Sequence, residues 1–462
     1  MSADTAWATP PGRSPGRSGA AWLAEARATA VLAAPMVVGQ LAAMAQGLVD
    51  VLLAGHLNAH TLAVVAVGNS IWVLALMVAF GVSYALPPAI AQLDGAGRRH
   101  EAAQVFVQAA LLGLAVGLAL MGVVRWGGPA ALALTGVTPS LLPDATAFLH
   151  AISFGMPAIA LYLTCRGLSE GLSRPRPSAV IGLLGLIVLA PLAYVLMYGR
   201  LGVPPLGALG CGIATAVTCW VQLAAFVVWI RVAPHYRGLG WAGGRRGFDA
   251  RTMAGLFKVG LPIAISQLME SSLFTGAALV IARFGEDAAA GHQIAINAAS
   301  LSFMLPMGVS FAITVRVGNA AGRRDRAGVH RAALSGIGLG LALTTCSSLL
   351  LLLAPVSIAG LYSSDPAVIA PASVLLRLAG IFQLADGLQV TTLGALRGLK
   401  DTRVAMVITG IAYWLVGLPV GLLVALHLGW QAPGMWLGLI AGLGTAAALL
   451  SVRLRYRLRG AI

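Results

Sequence analysis

Three carboxylates stand where carboxylates are rare. Asp50, Glu270 and Asp386 lie inside the apolar runs "AMAQGLVDVLLAG", "AISQLMESSLFTG" and "IFQLADGLQVTTL", whereas most of the 15 acidic residues fall where loops are expected. A charge in hydrocarbon is costly, so such groups face a protein cavity and mark ion pathways or proton relays. Burial disfavours the ionised form of a carboxylate, so a site of this kind suits H+, and its oxygens also suit Na+. Either ion would compete with a cationic substrate for the same negative charge. That competition is the minimal mechanism of antiport: ion entry expels substrate, and ion release restores affinity for it.

Helical spacing gives each acid its neighbours. Asp386 shares a face with Phe382, Gln383 and Gln389; Glu270 with Gln267 and Phe274; Asp50 with Gln46. These side chains are the expected lining of a substrate cleft, with the amides placed to hydrogen-bond the acids and Phe382 offering a ring face to a cation. Arg377 is nine residues before Asp386, about half a revolution away at 3.6 residues per turn, and is expected to snorkel to the outer surface. The bland alternative for Glu270 and Asp386 is an acid hydrogen-bonded between helices. For Asp50, near the expected outer end of its run, it is a solvated interfacial residue. His292, in "AGHQIAIN", could join a relay, but near a helix start a packing or capping role is the stronger expectation.

The elements that position these residues follow from composition. Of 462 residues, 58% are hydrophobic and only 10% charged, outside the range of soluble proteins. A span needs roughly 20 mainly apolar residues. About twelve runs qualify, near 30–53, 61–86, 104–124, 147–166, 178–199, 206–230, 254–282, 288–314, 331–354, 372–396, 404–427 and 433–452. Backbone groups in lipid must be paired internally, and runs this continuous are helices, since barrel strands would alternate. The predicted fold is therefore an all-α integral membrane protein with twelve transmembrane helices.

The formal charge of +15 does not call for nucleic acid. With both termini cytoplasmic, the opposite loops hold only Arg125, Arg200 and Arg283, and Lys258 and Arg377 fall inside spans. Every other basic residue is then on the cytoplasmic side, a strong positive-inside bias. Cys165, Cys211, Cys219 and Cys346 fall in or beside spans without metal spacing and read as packing residues. The Ser-, Pro-, Gly- and Arg-rich segment from Met1 to about Ala20 is expected to be disordered, and no cleavable signal is expected because the first apolar run is of full span length.

The chain also repeats itself. Pro35 and Pro262 differ by 227 positions, as do Gln40 and Gln267, "GVSYA" (Gly81–Ala85) and "GVSFA" (Gly308–Ala312), and Gly171-Leu172 and Gly398-Leu399. "AGRR" at Ala96–Arg99 and at Ala321–Arg324 fits after a two-residue slip. Six spans per half, an even number, make this a parallel repeat, an arrangement in which substrate and ion sites lie near the bilayer middle and the halves rock. The expected organisation is a tail at 1–25, a six-helix lobe at 26–232, a cytoplasmic linker at 233–253, a second lobe at 254–452 and a basic tail at 453–462. In the linker, "GLGWAG" (Gly238–Gly243) has dinucleotide-fingerprint spacing but no strand before it, and reads as chance.

Several stretches resemble the multidrug and toxic compound extrusion (MATE) family in its bacterial NorM-like branch. They are "GLVDVLLAG" (Gly47–Gly55), "AQLDGAGRRH" (Ala91–His100), "YGRLGVPPLGALGCGIATA" (Tyr198–Ala216), "AGHQIAIN" (Ala290–Asn297), "FMLPMGVSFAITVRVG" (Phe303–Gly318) and "GALRGLKDTR" (Gly394–Arg403). The resemblance implies two six-helix lobes around a central cleft in a bacterial inner membrane, acting as a monomer without cofactor. It implies exchange of small organic cations or drugs for H+ or Na+. It places Glu270 and Asp386 on the ion-site acids of the C-terminal lobe and Asp50 on the first-helix Asp of the other. Two positions depart from the family pattern. Leu189 and Ala193 stand where relatives often carry Asn, and Phe382 where some Na+-coupled relatives carry Tyr. Both changes remove oxygen from a metal site, so the expectation leans to H+ over Na+.

Three other readings compete. A flippase for a lipid-linked or lipid-like substrate would want cationic side chains in the cleft, whereas the ionisable groups inside the spans are mostly acidic. An intramembrane aspartyl protease would use Glu270 and Asp386 as a dyad, which the repeat and the resemblance argue against, so no enzyme activity is expected. A channel would show fast downhill flux without a counter-ion.

Overall fold

The computed structural model describes residues 19–241 and 248–460. Among them are twelve helices long and apolar enough to cross a membrane. The first six are Gly19–Leu57, Ala59–Gly95, Arg99–Leu134, Leu142–Gly171, Arg176–Tyr198 and Gly207–Val232. The second six are Ala250–Phe284, Glu286–Gly322, Arg326–Leu353, Pro366–Gly398, Thr402–His427 and Gln431–Arg459. Each contains or closely overlaps one predicted run, so helix number and order agree with the sequence. Gly19 and Ala20 already begin the first helix. The rest of the segment expected to be disordered, and the last two residues of the Gly238–Gly243 motif, lie outside the described residues.

The helices outrun the apolar windows. An apolar run is ended where charges gather at its edge, but a helix can carry those charges into the protein interior. Arg166 and Glu170, which the sequence assigns to a loop, belong to the helical stretch Gly155–Gly171 and are only 6% and 4% exposed. Arg397, likewise assigned to a loop, is in the tenth helix and 7% exposed. At the C-terminus the twelfth helix continues through Arg459, so most of the expected basic tail is helical. Its Arg453 and Arg457 flank Asp401 at 2.8 and 3.3 Å. Lys258 and Arg377 are exposed, as snorkelling requires. Three cysteines are buried, whereas Cys346 is exposed and does not act as an interior packing residue.

The 227-residue repeat is written into the backbone. Left-handed residues recur at that offset: Gly97 and Arg324, Ser173 and Lys400, Gly202 and Gly429. The first two pairs close helices with the same six-residue hydrogen bond. Arg98 N–H donates to Leu93 O as Asp325 N–H does to Ala320 O, and Arg174 N–H donates to Ser169 O as Asp401 N–H does to Leu396 O. These caps fix the register of Gly97 on Arg324. The two "AGRR" strings, 225 apart, are therefore a match of letters that is out of structural register.

By contact the described chain forms two compact units. One comprises the first helix up to Val37, Gly95–Gly97 and the chain from Ser266 onward; the other comprises Val38–Asp94 and Arg98–Ile265. The first and seventh helices are thus divided just after Pro35 and Pro262, the prolines that mark the repeat. Within each unit one glycine permits an equivalent close approach. A Cβ on Gly81 would lie 2.2 Å from Ala264 Cα, and one on Gly308 would lie 2.9 Å from Val37 N. Gly308 follows Gly81 by 227, and Ala264 follows Val37 by 227.

Gly81→Ala and Gly308→Ala should each lower the unfolding temperature of the detergent-purified protein. Overpacking costs about 1–3 kcal/mol, more than the gain of under about 1 kcal/mol in helix propensity. Gly338→Ala, with no atom near the added methyl, should be neutral or stabilising. Equal melting of all three variants would refute the close-approach argument.

Candidate functional site

The tenth helix is the frame of the site. Gly380, Gly387 and Gly394 recur every seven residues, two turns apart, and form a stripe against its neighbours. A Cβ at these positions would meet Leu352 at 2.8 Å, Thr344 at 2.3 Å and Ser310 at 2.5 Å. Small residues let the backbones approach, and hydroxyls then bond across them. Ser348 Oγ donates to Gly380 O at 2.6 Å, Ser310 Oγ to Val390 O at 2.6 Å and Thr314 Oγ1 to Gly394 O at 2.9 Å. The helix that carries Asp386 is therefore held along its length by the eighth and ninth helices.

Asp386 is 4% exposed, and its Oδ1 is buried without a hydrogen-bond partner among the described residues. Glu270, half-buried on the seventh helix, is near enough that the two charges act on each other. The sequence puts these acids on different helices, and the fold sets them within electrostatic reach of each other in one unit. The expected amide partners are engaged elsewhere. Gln383 Nε2 donates to Ala299 O at 2.7 Å, and Gln389 Nε2 donates to the Tyr413 hydroxyl. Phe382 is 2% exposed, its ring edge-to-face with Phe274 at 5.9 Å and with Trp436 at 5.7 Å. Gln267 is half-buried on the same helix as Glu270.

Two residues at this site escaped the sequence reading. Arg397 acts electrostatically on Glu270. It follows Asp386 by eleven residues, about three turns, so it lies on the same face of the tenth helix. That spacing was visible, but Arg397 had been counted as a loop residue. Tyr413 is fully buried in the π-helical turn Ile411–Gly417 and lies within electrostatic reach of both acids. π-turns inside helices are frequent at functional sites, and nothing in the local pattern "GIAYWLVG" announces one. His292 is six residues inside its helix and 4% exposed, which rules out a capping role. Its Nδ1 accepts from Trp436 Nε1–H at 3.2 Å, and the rings stack edge-to-face, so it packs behind Phe382.

The other unit holds Asp50, seven residues before the end of its helix and half-buried rather than solvated. Thr215 Oγ1 donates to its Oδ2 at 3.2 Å, and Oδ1 is buried without a partner among the described residues. Thr215 was not singled out from the sequence. Gln46 turns its amide to Gly182 O at 3.3 Å instead. Leu189 and Ala193 are 1% and 0% exposed and pack in the apolar core, offering no oxygen.

This unit also contains a charge pair that the sequence did not reveal. Arg166 Nε donates to Glu170 Oε1 at 2.6 Å, and its Nη2 donates to Gln40 Oε1 at 2.7 Å. Both ions are buried, and each answers the other. The acids therefore divide by circumstance. Glu170 is neutralised by an arginine on its own helix, whereas Glu270 and Asp386 crowd two negative charges into one site. Among the described residues no group of three or more His, Cys, Asp or Glu side chains is placed to hold a metal ion.

Twelve apolar helices in a twofold repeat, with two acids brought together inside one unit, define a multi-pass membrane transporter. The MatE family model matches the chain twice, over residues 35–195 and 262–423, with starts 227 residues apart. The chain belongs to the MatE family. It is 44% identical over 432 residues to a probable multidrug resistance protein NorM of Xanthomonas campestris pv. campestris, covering 94% of each chain. It is 41% identical to the multidrug resistance protein PmpM of Pseudomonas aeruginosa, covering 93% of this chain and 91% of that one. Its fold matches the crystal structure of the eukaryotic MATE transporter AtDTX14 with a TM-score of 0.83 at 18% identity, covering 95% of this chain and 99% of that one.

Arg166→Met should destabilise the protein by about 3–5 kcal/mol, because Glu170 would be left as an unanswered buried charge. The double variant Arg166→Met/Glu170→Met should recover most of that loss. Chemical denaturation in detergent reads both values, and a double variant no more stable than the single one would show that the pair does not act as a unit.

Proposed function

We propose that this chain is a secondary active multidrug antiporter of the bacterial inner membrane, with both termini cytoplasmic, exporting organic cations in exchange for H+. The observation that carries the reading is the approach of Glu270 and Asp386 within one unit, with no ion pair or hydrogen bond to either acid among the described residues. Two like charges in a low-dielectric site repel, so one cation relieves the site whether it is a proton or a drug. Mutually exclusive occupancy couples the two fluxes. The multidrug resistance names of the relatives support the cargo class, and the uneven distribution of basic residues supports the orientation.

H+ is favoured over Na+ because Na+ wants several oxygen ligands. Near Asp386 and Glu270 the aromatic residue is Phe382, and the Tyr413 hydroxyl is already bonded to Gln389. Among the described residues the one oxygen hydrogen-bonded to the Asp50 carboxylate is the Thr215 hydroxyl. A lipid-flipping role would want buried cations inside the spans free to grip a phosphate, yet the buried Arg166 is bonded to Glu170, and the buried Arg397 is set to act on Glu270.

The test is fluorescent organic-cation flux in proteoliposomes, with pH and Na+ gradients imposed separately. A pH gradient should drive flux, and a Na+ gradient with pH clamped on both sides should not. Asp386→Asn and Glu270→Gln, near-isosteric swaps, should abolish driven flux while the protein stays folded, and Asp50→Asn should reduce it less. Flux driven by Na+ alone would overturn H+ coupling. Flux indifferent to both gradients and to Asp386→Asn would overturn antiport.

A further inference from the structure

The connection that follows the sixth helix covers a cavity of about 440 Å³ in the unit that contains Asp50. The segment Pro234–Leu239 forms its roof and is pinned at several points. The Tyr236 hydroxyl bonds Ser169 Oγ at 2.8 Å, and Trp241 Nε1 donates back to Tyr236 O at 2.5 Å. The Trp241 indole meets the Phe106 ring edge-to-face at 5.8 Å. Beneath the roof the lining is apolar, from Cys165 on the fourth helix and Val227 and Ile230 on the sixth. At the rim stand Arg231 and Arg237, both exposed, with no acid among the described lining residues. Among the described residues neither arginine makes an ion pair or a side-chain hydrogen bond.

An apolar floor beside a pair of unanswered guanidinium groups, at the end of a membrane helix, matches one kind of molecule. The rim wants an anion that can take two forked donors, as a phosphate does. The floor wants hydrocarbon. A soluble phosphate would satisfy only the first, and a neutral amphiphile only the second. Basic pockets between membrane helices on the cytoplasmic side have this chemistry for anionic headgroups.

We propose that this cavity binds an anionic phospholipid of the leaflet on the basic side of the protein, with the phosphate on Arg231 and Arg237 and an acyl chain against Val227 and Ile230. The site is separate from the acid pair. It rests on the membrane orientation given by the basic loops and not on the identity of the coupling ion.

Native mass spectrometry of the full-length protein released from detergent micelles tests it, with phosphatidylglycerol titrated against phosphatidylcholine. Wild type should retain phosphatidylglycerol preferentially. Arg231→Ala/Arg237→Ala should bind phosphatidylglycerol about 30-fold more weakly, the loss expected for two basic contacts near the surface. Arg231→Lys/Arg237→Lys should keep most of the preference. Val227→Phe, which narrows the floor and leaves both arginines, should also weaken binding, and unchanged thermal unfolding of each variant shows that the fold persists. Equal lipid retention by wild type and the double alanine variant would overturn the proposal. So would displacement of the lipid by millimolar inorganic phosphate, which would assign the rim to a free anion. These outcomes are read from binding alone and stand apart from whether pH drives transport.

Discussion

Hydrocarbon offers no water to a charge, and the rest of this molecule is arranged around that fact. A buried ion must be met by an opposite charge, by hydrogen bonds or by a mobile cation. The acids Glu170, Asp50, Glu270 and Asp386 differ in how far they are met. Glu170 is met by Arg166 at bonding distance, and Gln40 takes a further proton of the same guanidinium. Asp50 is met in part, with Thr215 on one oxygen and nothing on the other among the described residues. Glu270 and Asp386 are set near each other, which makes the problem worse instead of solving it. A fold that elsewhere answers its buried charges and here doubles one has left room for something that comes and goes.

The same absence of water acts on the backbone. Helices satisfy their own peptide groups, so what remains is to lock one helix against another without a hydrophobic driving force. The glycine stripe on the tenth helix does this at seven-residue spacing, with Ser310, Thr314 and Ser348 adding hydroxyl bonds to carbonyls across the contact. Asp386 is next to Gly387 in sequence, so its carboxylate is carried on backbone held within this stripe. A loosely held acid could swing to solvent or to Arg397.

Much of this was legible in the sequence, and the limits have physical causes. The twelve spans, the 227-residue repeat and the three acids in apolar runs are properties of composition and spacing, and they are all present in the fold. Glu170, Arg166 and Arg397 were misread because they stand at the edge of an apolar run, where the hydropathy ends the span, while the helix continues and buries the charge against a partner that no window can see. The amides of Gln46, Gln383 and Gln389 share helical faces with their acids yet serve carbonyls and a hydroxyl on other helices, since spacing fixes a direction but not what waits there. Tyr413 was invisible for a related reason: a π-turn changes which side chain faces inward, and its residues carry no distinctive pattern. The "AGRR" slip shows the converse, where letters matched and the capping geometry did not.

The repeat also explains why the two units treat charge so differently. Glu170 and Arg397 occupy equivalent positions, 227 apart, each just before the shared Gly-Leu that ends its helix. In the first half, Arg166 lies one turn earlier on the same helix, so the pair closes on itself. In the second half, the equivalent of Arg166 is Leu393, and the charge at the Glu170 position is reversed. Arg397 therefore has no acid one turn before it on its own helix, and its field reaches Glu270 on the seventh. One exchange of sign, with the loss of one partner, turns a closed structural pair into an electrostatic link between helices. On the proposed reading, a cation at Glu270 and Asp386 would change the charge that Arg397 sees, whereas Arg166 is already bonded to Glu170 and Gln40. Two copies of one helical design thus engage their buried arginines differently, with an acid on the same helix in the first half and an acid on another helix in the second.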